Sequence, residues 1–279
     1  MNLPDPSPIC CPVCREPLAL QDRMLRCANG HPFNVAKEGY INLLLSHQRK
    51  SRQPGDDPDM VQARRRFFDS GAYAALTDAV TQLPIIGKDA PSVLDCGCGE
   101  GHLLGALSEQ RDGFFCGIDI SKKAAQLASK RYKRAAWLVA NGMRDIPMAD
   151  ASMDVIISVL APRNNAEFSR ILKAGGALVL GVPGKNHLIE LRRQLQFSSG
   201  DFQDKADDAA AKCAPAFSEA QRQTVLDKVT LNREQIADLI QMTPIFWRSS
   251  DEAKAAVMQL DQLTVTVSFT LLTMIKPQA

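Results

Sequence analysis

The sequence predicts an α/β protein: a doubly wound, mostly parallel sheet with a small N-terminal zinc-ribbon domain. Three observations carry that reading. After Pro91 short apolar runs alternate with amphipathic stretches, the pattern of strands wrapped by helices. One of those runs, Val93-Leu94-Asp95, enters a loop with glycines at alternate positions, Gly97, Gly99 and Gly101. Near the N-terminus Cys10, Cys11, Cys14 and Cys27 crowd together with His31 beside them.

Composition sets the outer bounds. With 279 residues, 45% hydrophobic and 23% charged, the chain can bury one large core and carry an appendage. No apolar run approaches the ~20 residues that cross a bilayer, which excludes a membrane-spanning reading. The opening segment Met1-Asn2-Leu3-Pro4-Asp5-Pro6-Ser7-Pro8 has neither the basic nor the apolar stretch of a signal peptide, so the expected location is cytoplasmic. Lys plus Arg number 33 against 31 Asp plus Glu; any nucleic-acid footprint must therefore be local.

The elements follow in order. In residues 1–45, Cys11-Pro12-Val13-Cys14 and Cys27-Ala28-Asn29-Gly30-His31 supply three thiolates and an imidazole at ribbon spacing. Thiols stay free in a reducing compartment, and tight turns aim such pairs at one tetrahedral zinc. With all four positions filled by protein the site is structural, and Cys10 is a spare. Residues 46–58, polar and rich in turn formers, read as a linker or mobile loop. From Asp59 to Val80 apolar residues at helical spacing, broken by Gly71, predict two short helices.

Beyond Pro91 the strands are Ser92 to Asp95, Phe114 to Asp119, Ala136 to Ala140, Asp154 to Leu160 and Ala177 to Val182. The helices between them are His102 to Gln110, Ser121 to Tyr132 with Ser121 as N-cap, Ala166 to Leu172 ending at Gly175-Gly176, and Asn186 to Gln196. Gly200 to Ala214 is a polar, alanine-rich insertion. Leu263 to Leu272 alternates with period two and predicts a strand.

The chemistry gathers at the glycine loop. Glycines there let a ligand lie against the backbone at the carboxyl edge of the sheet. Asp119 ends the next strand where a carboxylate can grip a ribose diol. The glycines are spaced two and two after Asp95, unlike a dinucleotide loop. Asp95-Cys96-Gly97-Cys98-Gly99-Glu100-Gly101 resembles motif I of the class I S-adenosylmethionine-dependent methyltransferases, with Asp119 as the ribose-binding acid.

The order of ribbon, linker and core narrows the resemblance. Cys11-Pro12-Val13-Cys14, Ala36-Lys37-Glu38-Gly39-Tyr40-Ile41-Asn42-Leu43-Leu44, Asp69-Ser70-Gly71-Ala72-Tyr73, the glycine loop and Gln241-Met242-Thr243-Pro244 together resemble the bacterial 23S ribosomal RNA guanine-N1 methyltransferases. The resemblance implies that residues 59–279 form a methyltransferase domain. It implies structural zinc on Cys11, Cys14, Cys27 and His31, and cofactor contacts from Tyr73, Gly99, Glu100 and His187 besides Asp95, Gly97, Gly101 and Asp119. Read from the residues alone, Tyr73 is a core aromatic and His187 a surface residue at a helix start. Leu160-Ala161-Pro162 has leucine where the family commonly has an aromatic, and Ala174 stands where proline is usual.

The implied partner is 23S ribosomal RNA, with Arg49, Lys50 and Arg52 and the run Arg64-Arg65-Arg66 as candidate phosphate contacts and a solvated face as the plainer alternative; a homodimer is left open. The implied reaction is attack of guanine N1 on the sulfonium methyl. The proton acceptor is not written in the sequence, and Asp145 and Asp150 are near the cleft only in chain order. Two rivals use the same residues: a small-molecule methyltransferase, which has little need of a ribbon, and a non-catalytic RNA- or ribosome-binding protein, which has little need of an intact cofactor loop.

Overall fold

The computed structural model describes residues 6–49, 51, 53–87, 89–197, 205–243 and 249–278. Lys50, Arg52, Pro244 and the start of the 200–214 insertion, all singled out above, lie outside the described residues. The ribbon is a three-stranded antiparallel sheet of β1 (Ala19–Gln21), β2 (Met24–Arg26) and β3 (Pro32–Asn34). Next come β4 (Ile41–Asn42), α1 (Pro58–Asp69) and α2 (Ala74–Thr81). Asp57 caps α1 by accepting the Asp59 amide, and Pro58 needs no such partner.

The alternating unit then runs β5 (Ser92–Cys96), α3 (His102–Gln110), β6 (Phe114–Asp119), α4 (Lys122–Arg131), β7 (Ala136–Val139), β8 (Met153–Val159), α5 (Asn165–Ile171) and β9 (Leu172–Pro183). It ends with α6 (Ile189–Gln194), α7 (Ala206–Cys213), β10 (Ser218–Asn232), α8 (Arg233–Met242), α9 (Asp251–Met258) and β11 (Gln262–Ile275). The large sheet has the order β10-β11-β9-β8-β5-β6-β7-β4, and among the described residues β11 alone runs against the others. The expected doubly wound, mostly parallel fold is the observed one. Ser121 caps α4 as expected, whereas the helix expected to reach Leu172 stops at Ile171 and Gly175-Gly176 lies inside β9. The helix expected over Asn186 to Gln196 is confined to α6.

The two faces of this sheet are covered differently. On one, Leu104 and Leu107 of α3, Ala125 and Ala128 of α4 and Leu76 of α2 pack with Val93, Phe115 and Trp137. On the other, Phe168 and Ile171 of α5 and Ala209 and Cys213 of α7 cover one half. The crossover from β7 to β8, residues 140–152, contains no helix. The ribbon fills that place: Ile9, Leu18, Leu25, Val35, Ile41 and Leu43 pack with Leu94, Cys116, Ile118 and Leu138.

That packing joins the ribbon segment closely to the large sheet. Ile41 and Asn42 pair in parallel with Leu138 and Val139, so the large sheet's last strand lies within the ribbon segment. Ile9 bridges Met148, and Arg15 donates to the carbonyls of Ile146 at 2.8 Å and Met148 at 2.9 Å. Asp150 belongs to this seam, paired with Arg170 at 2.7 Å. A fully buried aliphatic side chain contributes about 1.5–3 kcal/mol before the entropy of ordering it is set against that gain. Ile41→Ala is therefore expected to cost about 2–5 kcal/mol. Denaturant unfolding followed by circular dichroism and by tryptophan fluorescence should show one coincident transition; two separated transitions would mean that ribbon and sheet unfold independently.

Candidate functional site

The metal centre forms where two turns face each other. Cys11, Cys14, Cys27 and His31 place their ligand atoms within 4.8 Å of one another. Tetrahedral zinc with Zn–S near 2.3 Å and Zn–N near 2.0 Å demands S···S separations of about 3.8 Å and S···N separations of about 3.5 Å. The Sγ atoms of Cys14 and Cys27 are 3.7 Å apart, and His31 Nδ1 lies 3.6 Å from Cys11 Sγ and 3.3 Å from Cys27 Sγ. These donors fit zinc, and with four protein ligands no position is open to a substrate. The Glu16 amide beside Cys14 brings that thiol down to about 6, while burial pushes Cys11 up to about 11. Cys10 stands outside the cluster, its amide bonded to the Pro147 carbonyl at 3.0 Å.

The second site opens at the carboxyl edge of β5. Gly97 holds φ +84°, and a side chain there would collide with Ala161, which follows β8. The Gly97 and Cys98 amides both donate to the Ile118 carbonyl, at 2.8 and 3.0 Å, which ties the loop to β6. Asp119 sits at the end of β6. Its Oδ2 accepts the Gly99 amide at 2.9 Å and its Oδ1 accepts the Ser121 amide at 2.7 Å. Burial raises its pKa, against the pull of those two amides. A carboxylate has about four acceptor positions, so the outer lone pairs are free for two hydroxyls.

Around this loop the charges are buried. Asp95 is pushed up to about 8, first by burial and then by the charges of Asp119 and Glu100. Glu100 is pushed up to about 7, again chiefly by burial, and its Oε2 has no hydrogen-bond partner among the described residues. Tyr73 and His187 meet in the interior, with Oη and Nε2 3.3 Å apart. The Ser268 amide donates to His187 Nδ1 at 3.2 Å, which assigns the ring proton to Nε2 and leaves the Tyr73 hydroxyl free to donate elsewhere. Burial lowers His187 to about 3, so the ring is neutral. The sequence alone placed it on the surface; Phe269, with its ring centre 4.4 Å away, covers it.

The arginine run does not form one patch, because consecutive helical residues point about 100° apart. Arg65 pairs with Asp69 at 3.7 Å, and Arg66 forks onto Asp238 of α8 at 2.5 to 3.1 Å. Arg64 turns into the cleft, with Nη1 3.4 Å from where a Cβ on Gly99 would stand. Sequence reasoning missed its place there; the helical angle between neighbours was the available signal. Arg49 is exposed, and Asp145 is an exposed loop carboxylate.

A backbone cradle at Gly97, an acid at the ribose position and an orphaned buried acid at Glu100 fit S-adenosylmethionine, a nucleoside that carries positive charge at its sulfonium and ammonium. Residues 93–176 match the family described as "Methyltransferase domain", and residues 9–52 match "RlmA, N-terminal". Two solved structures share the fold at 18% and 21% identity: the [4+2]-cyclase SpnF, TM-score 0.51 over 73% of this chain and 80% of that one, and the "putative methyltransferase" solved in complex with the Haloferax volcanii Trm112 activator, TM-score 0.50 over 81% and 99%. Fold and site together define an S-adenosylmethionine-dependent methyltransferase. The chain is 36% identical to the 23S rRNA (guanine(748)-N(1))-methyltransferase of Streptomyces fradiae, covering 94% of this chain and 95% of that protein. The putative 23S rRNA (guanine-N(1)-)-methyltransferases of Micromonospora griseorubida and Bacillus subtilis are 34% and 32% identical over the same shares. It belongs to the 23S rRNA (guanine-N1)-methyltransferase family.

The buried acids predict a pH dependence. In the unfolded chain Asp95 ionises near 3.8 and in the folded chain near 8, so between these values the folded state holds the extra proton and stability falls as pH rises. Asp95→Asn should flatten the fall between about pH 4 and 8, leaving the contributions of Glu100 and Asp119, whose pKa values burial also raises. Urea unfolding across that range measures it; an unchanged slope would contradict the assignment.

Proposed function

We propose that this chain transfers the methyl group of S-adenosylmethionine to N1 of a guanine in a hairpin loop of 23S ribosomal RNA. The observation that carries the reading is that relatives named for this reaction align with both the zinc ribbon and the cofactor cleft over 94% of the chain. The relatives named for other methyl acceptors, malonyl-[acyl-carrier protein] and 27-O-demethylrifamycin SV, align with less than half of it. In a cytoplasmic setting both the ribosomal RNA and the reducing conditions that keep eight thiols free are at hand.

The bound cofactor supplies an electrophilic methyl on a sulfonium. Asp119 would accept from the ribose hydroxyls, the side-chain-free backbone at Gly97 and Gly99 would let the nucleoside lie against the loop, and Glu100, Tyr73 and His187 would offer polar groups to the cofactor. Guanine N1 lies on the Watson–Crick edge, so the base must be unpaired or flipped out to reach the methyl. The chain's work is then to fix the base in line with the methyl and to exclude water. Leu160, half exposed and held at φ +54° directly after β8, and Ala161 against Gly97 stand at that mouth. Exposed Arg49, with Lys50 and Arg52 next to it in sequence, would be open to phosphate, whereas Arg65 and Arg66 must first release their carboxylate partners.

Two measurements test this. Asp119→Ala should weaken S-adenosylmethionine binding by about 1–3 kcal/mol through lost charge-assisted hydrogen bonds, as read by calorimetry; unchanged affinity would remove Asp119 from the site. Ribosomal RNA from a strain lacking the protein, incubated with enzyme and cofactor, should gain a reverse-transcription stop at one guanine, since an N1-methyl blocks pairing. Methyl transfer that leaves no such stop would exclude N1 as the target.

A further inference from the structure

A second cleft opens at the carboxyl edge of the sheet, beyond the cofactor site. It has a volume of about 700 Å³ and is lined by Asn186 and Arg193 around α6, by Leu226 and Lys228 of β10 and by Thr266 of β11. Register fixes its place: Phe269 pairs with Pro183 at the end of β9, so Thr266 and its partner Lys228 stand past the last residue of that strand. Asn186 lines this cleft while the next residue, His187, meets Tyr73 beside the cofactor, and Ser268, whose amide holds His187, is the partner of Leu226. The two clefts share a wall. The side chains of Arg193 and Lys228 are exposed and make no hydrogen bond or ion pair among the described residues. By contrast Arg134, Arg222 and Arg233 each carry a carboxylate partner. The acids of this cleft are engaged: Asp227 Oδ1 accepts the Lys228 amide at 2.8 Å, and Glu190 takes the Thr266 amide and hydroxyl, both at 2.7 Å. Leu226, a large apolar side chain, stands 67% exposed beside the two cations.

We propose that this cleft seats the RNA strand running on from the target guanine, with Arg193 and Lys228 on its phosphates and Leu226 against a base or ribose. The inference rests on the function proposed above and deepens it. Place decides the occupant: a guanine whose N1 reaches the methyl is unpaired, and the nucleotide beside it then leaves the methyl site as single strand across the shared wall. A cleft of this size takes a single strand and excludes a helix. Chemistry agrees, because cations without carboxylate partners suit phosphate, and an exposed apolar side chain suits the face of an unstacked base. Asn186 adds an amide that can donate to and accept from a 2′-hydroxyl.

The test uses the full-length protein and two probes, 23S ribosomal RNA from a strain lacking the protein and S-adenosylhomocysteine. The double variant Arg193→Gln with Lys228→Gln should bind that RNA about tenfold more weakly at low salt. Its log-log salt slope should flatten by about 1.4, the value for two contacts to single-stranded phosphate. S-adenosylhomocysteine affinity should stay within about twofold. Leu226→Ser should weaken RNA binding about three- to tenfold and leave the slope as it was. An unaltered slope in the double variant, when the wild-type protein does bind the RNA, would overturn the subsite and leave the function standing. Equal flattening per charge in Arg134→Gln would overturn it by making the effect one of net charge. A wild-type chain that binds S-adenosylhomocysteine but not the RNA would overturn the RNA reading and this proposal together.

Discussion

Four ligand atoms held within 4.8 Å of one another secure a whole layer of this protein. A parallel sheet needs cover on both faces, and here the crossover between β7 and β8 brings no helix to do it. The ribbon substitutes. It is too small to hold its shape by burial alone, so the metal fixes its turns, and the turns present Ile9, Leu18 and Leu25 to the sheet. Its continuation as β4 then closes the sheet's edge. Ribbon and sheet are thus packed into one body, with the metal ligands at its margin.

That unit also reaches the cofactor cleft. The chain leaving β4 passes a short turn at Ser46–Gln48 and then crosses the start of α4 at Gly55, bringing Asp56 to Arg64. The cleft beyond holds Asp95, Glu100 and Asp119, all raised by burial, with Arg64 as a cation among them. An excess of buried acid is costly in the empty site and favours a ligand that brings positive charge, as a sulfonium nucleoside does. A zinc-ligand module placed at one end of the chain in sequence is thus continuous in space with the glycine loop and the acids beside it.

Much of this was legible in the sequence. The strand Phe114–Asp119 and the helix His102–Gln110 carry strong periodicity and clear stops, and their bounds match. The zinc ligands were legible because metal geometry dictates spacing directly. The strand β10 was not, because it lies at the sheet edge with most of its side chains exposed, which erases the alternation that marked its partner β11. The docking of the ribbon was hidden for a related reason: apolar residues such as Ile41 and Leu43 read equally as the core of a small domain or as the seam to a larger one. The burial of His187 was not legible in the residues around it, because its cover, Phe269, comes from far along the chain. The arginine run read as a patch since sequence adjacency was taken for spatial adjacency, which a helix does not grant.

The central claim, that the zinc-bound ribbon is a structural layer of the methyltransferase, is tested most directly by amide hydrogen exchange on β5 and β6 before and after the metal is removed by a chelator. Leu94, Cys116 and Ile118 pack against the ribbon. Their amides should lose protection together with those of Leu25 and Phe33 when zinc is withdrawn. Full protection of β5 and β6 in a protein whose ribbon exchanges freely would contradict the account and make the ribbon an independent domain.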